Sequence, residues 1–125
     1  MTEFKTSHPI YIQMAERLAD DILQGVYPTD GKVPGVREYA ALLGVNVNTA
    51  VKAYETLALQ GVIYNRRGLG YFVSPDACDI IKQQRRQEFM HEFLPDLFKR
   101  MKQLGVTLEM LEEAYQKGKD ADSAK

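Results

Sequence analysis

Apolar residues recur at every fourth position from Ile10 through Met14 and Leu18 to Ile22, with Ala15 and Ala19 beside them. That spacing marks one face of an α-helix. Pro9 suits its first turn, where a missing N–H is not needed, and Gly25 ends it. The segment "YPTDGKVPG", dense in Pro and Gly, reads as a loop. A short helix follows over about Val36–Leu43, with Tyr39, Ala40 and Leu43 apolar, and Gly44 fits a left-handed cap at its end. From Val47 onward the period is helical again. At ~100° per residue, Val47, Ala50, Val51, Tyr54, Leu57 and Ala58 share one arc. Asn48, Thr49, Lys52 and Thr56 share the opposite one, and Gln60 extends its edge. Gly61 stops this helix.

The period then changes to two. In "VIYNRRGLGYFVS", Val62 and Tyr64, then Tyr71 and Val73, flank a glycine turn. This predicts a short two-stranded β-hairpin with Arg66 and Arg67 near its tip, one that must lean on the helices for stability. Ser74-Pro75-Asp76 marks a boundary, so residues 1–75 form one domain and 76–125 a helical appendage. The appendage carries Ile80 and Ile81, then Phe89, Phe93, Leu97, Met101 and Leu104, widened by Met90, Leu94 and Phe98. Pro95 interrupts it and predicts a kink or a break. After Gly105, Thr107 caps a last helix with Leu108, Leu111, Ala114 and Tyr115 on its apolar side, and the terminal "KGKDADSAK" is expected to fray. A contiguous stripe through Phe89, Phe93, Leu97 and Met101 is too apolar to face water, and two helices have little with which to cover it. It predicts a homodimer.

Helix, helix, tight turn, helix, hairpin is the order of a winged helix-turn-helix. The fold expected is mainly α with a small β-hairpin, followed by a short helical dimerisation region. In that architecture the second motif helix enters the major groove of double-stranded DNA by its N-terminal residues. Asn pairs bidentately with adenine edges, Thr reaches a base or a thymine methyl, and Lys takes guanine or phosphate. Backbone N–H groups at the same helix start favour a phosphate. Asn48, Thr49 and Lys52 are therefore the candidate readers, because no local structural need explains them on one exposed face. Asn46 is more cap than reader, its side chain accepting from an N–H near Thr49. Arg37, at the start of the preceding helix, is placed for a phosphate. Two-fold symmetry would present two reading helices, so the operator should be a near-palindrome.

Composition limits the alternatives. The chain is 45% hydrophobic and 26% charged, as a folded protein is. Its net charge of −1 is a poor global sign for a nucleic-acid binder. Placement matters more: between Lys32 and Pro75, five cations stand against two acids. The single cysteine, Cys78, allows no intramolecular disulfide and no cysteine-cluster metal site. His8 and His91 have no ligand-spaced neighbours. No apolar run is long enough to span a bilayer, and Met1–Ile10 lacks a signal-peptide pattern, so the expected compartment is the cytoplasm. There is no glycine-rich phosphate loop, nucleophile–base pair or supported carboxylate pair, which argues against an enzyme.

These residues also resemble the GntR family of bacterial transcription regulators. The resemblance runs from "HPIYIQMAERLADDILQGVY" through "GKVPGVREYAALLGVNVNTAVKAYETLALQGVI" to "RRGLGYFV", about residues 8 to 74. The family's Leu-Pro-Ser-Glu-Arg pattern reads here as Val33-Pro34-Gly35-Val36-Arg37, and glycine for the serine cap costs roughly a few tenths of a kcal/mol. The resemblance implies that Arg37 contacts DNA, and that Arg66, Arg67 and Gly68 of the hairpin meet the backbone or a minor groove. "NVNTAVKAY" is most similar to the short YtrA-type subgroup, which often has proline where Val47 stands. That likeness implies a two-helix dimerisation extension, no pyridoxal cofactor, and an extension too short for an enclosed ligand pocket. A small-molecule effector, still unidentified, stays open as a partner, and the regulator is expected to repress. The rival reading from the acidic total charge is a winged-helix module that binds proteins and not specific DNA.

Overall fold

The computed structural model describes residues 8–123. The stretch read above for a signal peptide therefore begins outside the described residues, as do the last two residues of the terminal "KGKDADSAK". Helix α1 spans Ile10–Leu23 and buries Met14, Ala15, Leu18, Ala19 and Ile22, one face at helical spacing. Ile10 is 57% exposed, so the buried stripe starts one turn into the helix. Pro9 precedes α1, and its carbonyl accepts from the N–H groups of Ile12 and Gln13. Helix α2, Val36–Leu43, is entered through Gly35. The Gly35 N–H donates to the Glu38 carboxylate at 3.2 Å; glycine has no side chain, so only this half of a capping box forms. At its far end Gly44 takes a φ of 67°, where any side chain would be strained. The Val45 N–H closes that turn on the Ala40 carbonyl.

Helix α3 spans Val47–Leu59 and buries Ala50, Ala53, Tyr54 and Leu57. The wheel placed Val51 on this arc and left Ala53 off it. In the structure Val51 is 37% exposed and Ala53 is buried. The reason is that α3 packs against both α1 and α2, and alanines on the seam let helices approach closely. Strands β1, Ile63–Arg66, and β2, Gly70–Val73, pair antiparallel, with Ile63 opposite Val73 and Arg66 opposite Gly70.

The loop before α2 is more ordered than its Pro and Gly suggest. Lys32 bridges Phe72. The Asp30 N–H donates to the Val73 carbonyl, the Val73 N–H to the Gly31 carbonyl and the Val33 N–H to the Tyr71 carbonyl. This strip covers the outer edge of β2, whose backbone groups need partners. The sequence concealed it because so short a run between Gly and Pro carries no alternation.

The core holds Leu18 and Ile22 of α1, Val33 of the strip, Tyr39 and Ala40 of α2, Ala50 and Tyr54 of α3, and Val62, Ile63 and Val73 of the hairpin. Ala77 and Ile81, in the first turns of α4 (Ala77–Glu88), complete it. The chain divides into two compact units between Gln84 and Arg85.

In the second unit a π-helical turn, Phe89–Phe93, leads into α5, Leu94–Leu104. Pro95 was expected to kink or break the helix, and it does not break it. Proline has no N–H, and its ring crowds the carbonyl four residues back. The wider turn accommodates both effects: the Leu94 N–H reaches the Phe89 carbonyl, and the backbone stays helical through Leu94. Gly105, at φ 69°, ends α5. Thr107 caps α6, Leu108–Ser123, its hydroxyl accepting from the Met110 N–H at 3.2 Å. The helix runs on through Ser123, farther than the polar tail suggested; an exposed Lys117–Glu113 pair at 3.2 Å adds ~0.3–0.5 kcal/mol of local support. No described side chain from Arg85 to Lys119 is buried.

Candidate nucleic-acid interface

Asn46 forms the N-cap of α3, its Oδ1 accepting from the Asn48 N–H at 2.7 Å. The expected partner lay near Thr49; the bond closes one residue earlier. With that oxygen committed to the helix start, the cap role of Asn46 is satisfied locally. Asn48 and Lys52, one turn apart, are exposed on one face, and Thr49 between them is half-buried. Thr56 does not extend this polar face outward, because its hydroxyl donates back to the Lys52 carbonyl at 2.8 Å. Arg37 is exposed as the second residue of α2.

Tyr54 anchors the opposite side of α3. Its hydroxyl donates to the Pro34 carbonyl at 2.6 Å, tying α3 to the segment that opens α2. Its ring lies 5.3 Å from Tyr71 of β2, edge to face, and 6.0 Å from Tyr39 of α2. Burial pushes the Tyr54 hydroxyl well above its ordinary pKa, with the neighbouring Tyr39 adding to it. Tyr39 is pushed up to about 12, first by burial and then by Asp21. The Tyr39 hydroxyl is buried and finds no hydrogen-bond partner among the described residues. An α3 clamped in this way shows one fixed face outward.

The hairpin forms a second group. Arg66 ends β1, its guanidinium 5.4 Å from the centre of the Phe72 ring, and Phe72 stacks on Tyr64 at 5.9 Å. The Tyr64 hydroxyl donates to Asp30 at 2.8 Å, which raises its pKa and fastens the hairpin to the strip. Arg67 and Gly68 occupy the turn, with Gly68 at φ 80°. Gly70 takes a φ of 112°, which L side chains rarely adopt, and a Cβ there would lie 3.2 Å from Lys32 Cε. Lys32 thus crosses the hairpin at Gly70 and brings a third cation to it. Sequence reading counted its charge without placing it, since only the strip pairing carries it there. The α1 residue Tyr11 was missed as well. Its ring lies 4.2 Å from Lys52 Nζ, and no sequence period connects positions so far apart.

In the second unit the Phe89 and Phe93 rings stack at 5.0 Å and are 49% and 54% exposed. Leu97 and Met101 are half-buried. Among the described residues, no three His, Cys, Asp or Glu side chains gather as metal ligands, and no helix is long and apolar enough to cross a membrane.

The family model described as "Bacterial regulatory proteins, gntR family" matches residues 10–73. The HTH-type transcriptional regulator YhcF of Bacillus subtilis (strain 168) is 32% identical over 111 residues, 89% of this chain and 90% of that protein. The HTH-type transcriptional repressor YtrA of the same organism is 33% identical over 109 residues, 87% and 83% of the two chains. The crystal structure of a GntR-family transcriptional regulator from Bacteroides thetaiotaomicron superposes with a TM-score of 0.80 at 38% identity, covering 91% of this chain and 99% of that one.

Proposed function

Since the chain belongs to the gntR family of bacterial regulatory proteins, and within it resembles the short YtrA-type members along most of its length, we propose that it is a cytoplasmic transcriptional repressor. It binds a near-palindromic DNA operator as a homodimer. The observation that carries this reading is the outward face of α3, where Asn48 and Lys52 stand exposed while Ala50, Ala53, Tyr54 and Leu57 hold the helix from behind. In this reading the N-terminal turn of α3 enters the major groove, with Asn48 presented to base edges and Thr49 beside it. Asn46 orients that turn. Arg37 meets a phosphate at the groove wall, and Lys32, Arg66, Arg67 and Gly68 meet the backbone or the neighbouring minor groove.

The second unit supplies the two-fold partner. Its uncovered stripe of Phe89 and Phe93, continued by Leu97 and Met101, gains cover from the same stripe of a second copy, a self-complementary arrangement. Each protomer then offers one α3, and half-site centres fall about one helical turn apart or a multiple of it. A DNA-bound dimer of this size represses by occupying the promoter.

The test is binding to two duplexes, one selected by the protein from a random-sequence pool and one unselected, across a range of salt. Each phosphate contact releases counterions and adds about 0.9 to the slope of log K against log salt. Tight, salt-dependent binding that prefers the selected duplex supports the reading. Equal, weak binding to both would leave the surface to a protein partner.

A further inference from the structure

We propose that Tyr11 of α1 is a positioning residue for Lys52 of α3: it holds the ammonium at the α1 edge of the exposed face, where it meets a phosphate and not a base. This rests on the DNA-binding reading above. Lys52 Nζ lies 4.2 Å from the centre of the Tyr11 ring, a cation–π distance. Tyr11 is half-buried and packs against the core, so its ring is a fixed surface. Lys52 is exposed and, left to itself, carries the rotamer freedom of a long unbranched side chain. Drawing its ammonium onto the ring removes part of that freedom before DNA arrives, which lowers the ordering cost of binding. The direction of the draw matters as much. Base edges are reached from the N-terminal turn of a reading helix, and Lys52 stands a turn beyond Asn48. Pulled sideways toward α1, its charge faces the groove wall, where the phosphates lie, and Asn48 is left as the outward amide.

The experiment is a double-mutant cycle, Tyr11→Leu, Lys52→Ala and both together, with Tyr11→Phe as the conservative control. Each protein is titrated with a duplex that the wild type has selected from a random pool and with an unselected duplex, at several salt concentrations. Lys52→Ala should weaken both duplexes by the same factor and lower the salt slope by about one. Tyr11→Leu should weaken binding about two- to fivefold, the size of an exposed cation–π contact. It should have no effect in the Lys52→Ala background, and Tyr11→Phe should bind like the wild type. A Tyr11→Leu loss that persists in full without Lys52 overturns the proposal. So does a Lys52→Ala loss confined to the selected duplex. The contact also has a readout without DNA: the ring current of Tyr11 should shift the ε-methylene protons of Lys52 upfield of the other lysines in the free wild type. If Tyr11→Leu does not fold, this shift decides, and its absence overturns the proposal. Should the wild type enrich no sequence at all, the regulator reading fails, while the shift and the slope on unselected DNA still judge the Tyr11–Lys52 pairing.

Discussion

Tyr39 and Tyr54 lie side by side in the core, yet removing their hydroxyls should have opposite effects. The Tyr54 hydroxyl donates to the Pro34 carbonyl at 2.6 Å. Tyr54→Phe forfeits a net ~0.5–1.5 kcal/mol for the bond and leaves a carbonyl short of a donor, for a loss of about 1–2 kcal/mol. Among the described residues the buried Tyr39 hydroxyl has no hydrogen-bond partner, and an unsatisfied hydroxyl costs ~1–3 kcal/mol. Tyr39→Phe removes that cost and leaves only a void of one oxygen atom, so it should stabilise by about 1 kcal/mol. For a domain of this size, 1 kcal/mol moves the melting temperature by about 4–8 °C. The assay is urea unfolding followed by tyrosine near-ultraviolet circular dichroism, suited to a chain with seven tyrosines and no tryptophan. A shifted midpoint at unchanged slope reports stability alone. Alkaline pH provides a second check. Burial raises both hydroxyls above their ordinary value of 10.0, Tyr39 to about 12. Below pH 10.0 neither state is ionised and stability is intact. Above it the unfolded chain loses protons that the folded chain keeps, so stability falls as pH rises toward about 12. Tyr39→Phe should flatten that decline. If Tyr39→Phe destabilises as much as Tyr54→Phe, the hydroxyl of Tyr39 has a partner and the reasoning is wrong.

Three further outcomes follow from the interface. Asn48→Ala should keep the fold and cost ~1–3 kcal/mol on the selected duplex, with less effect on unselected DNA; filter binding to both would expose equal losses, which argue against base readout. Arg67→Ala should weaken many sequences alike and lower the salt slope by about one. An unchanged slope would instead assign the hairpin arginines to edge protection. Phe93→Asp should give monomers in sedimentation at micromolar concentration, with the winged unit folded and most specific affinity gone. A wild type that sediments as a monomer yet binds its selected site tightly would remove the dimer from the account.

The parts legible in the sequence are those governed by local period and by single punctuating residues. α1 was visible through its spacing of four, α2 through Gly44, α3 through Asn46 and its two arcs, and the hairpin through alternation around "RRGLG". What stayed hidden depends on contacts between distant segments. Ala53 replaces Val51 on the buried arc because α3 serves two partners, and a wheel gives one helix only one direction. The strip at Asp30–Val33 exists because β2 offers an open edge, which the strip's own residues do not encode. The π turn answers Pro95 in a way that a rule of kinks and breaks does not anticipate. In the candidate site, Asn48 and Arg37 were found from helix position alone. Lys32 and Tyr11 came from tertiary geometry, one crossing the hairpin at Gly70 and the other meeting Lys52 from α1.

The central claim is that paired copies of the α3 face read a defined sequence in DNA. Selection of duplexes from a random pool by the purified protein, followed by footprinting of the enriched sequence, tests it most directly. The account predicts an inverted repeat with half-site centres about one helical turn apart or a multiple of it, protected on both halves and lost together in Asn48→Ala. No enrichment, or a single unpaired half-site bound with full affinity, would contradict it.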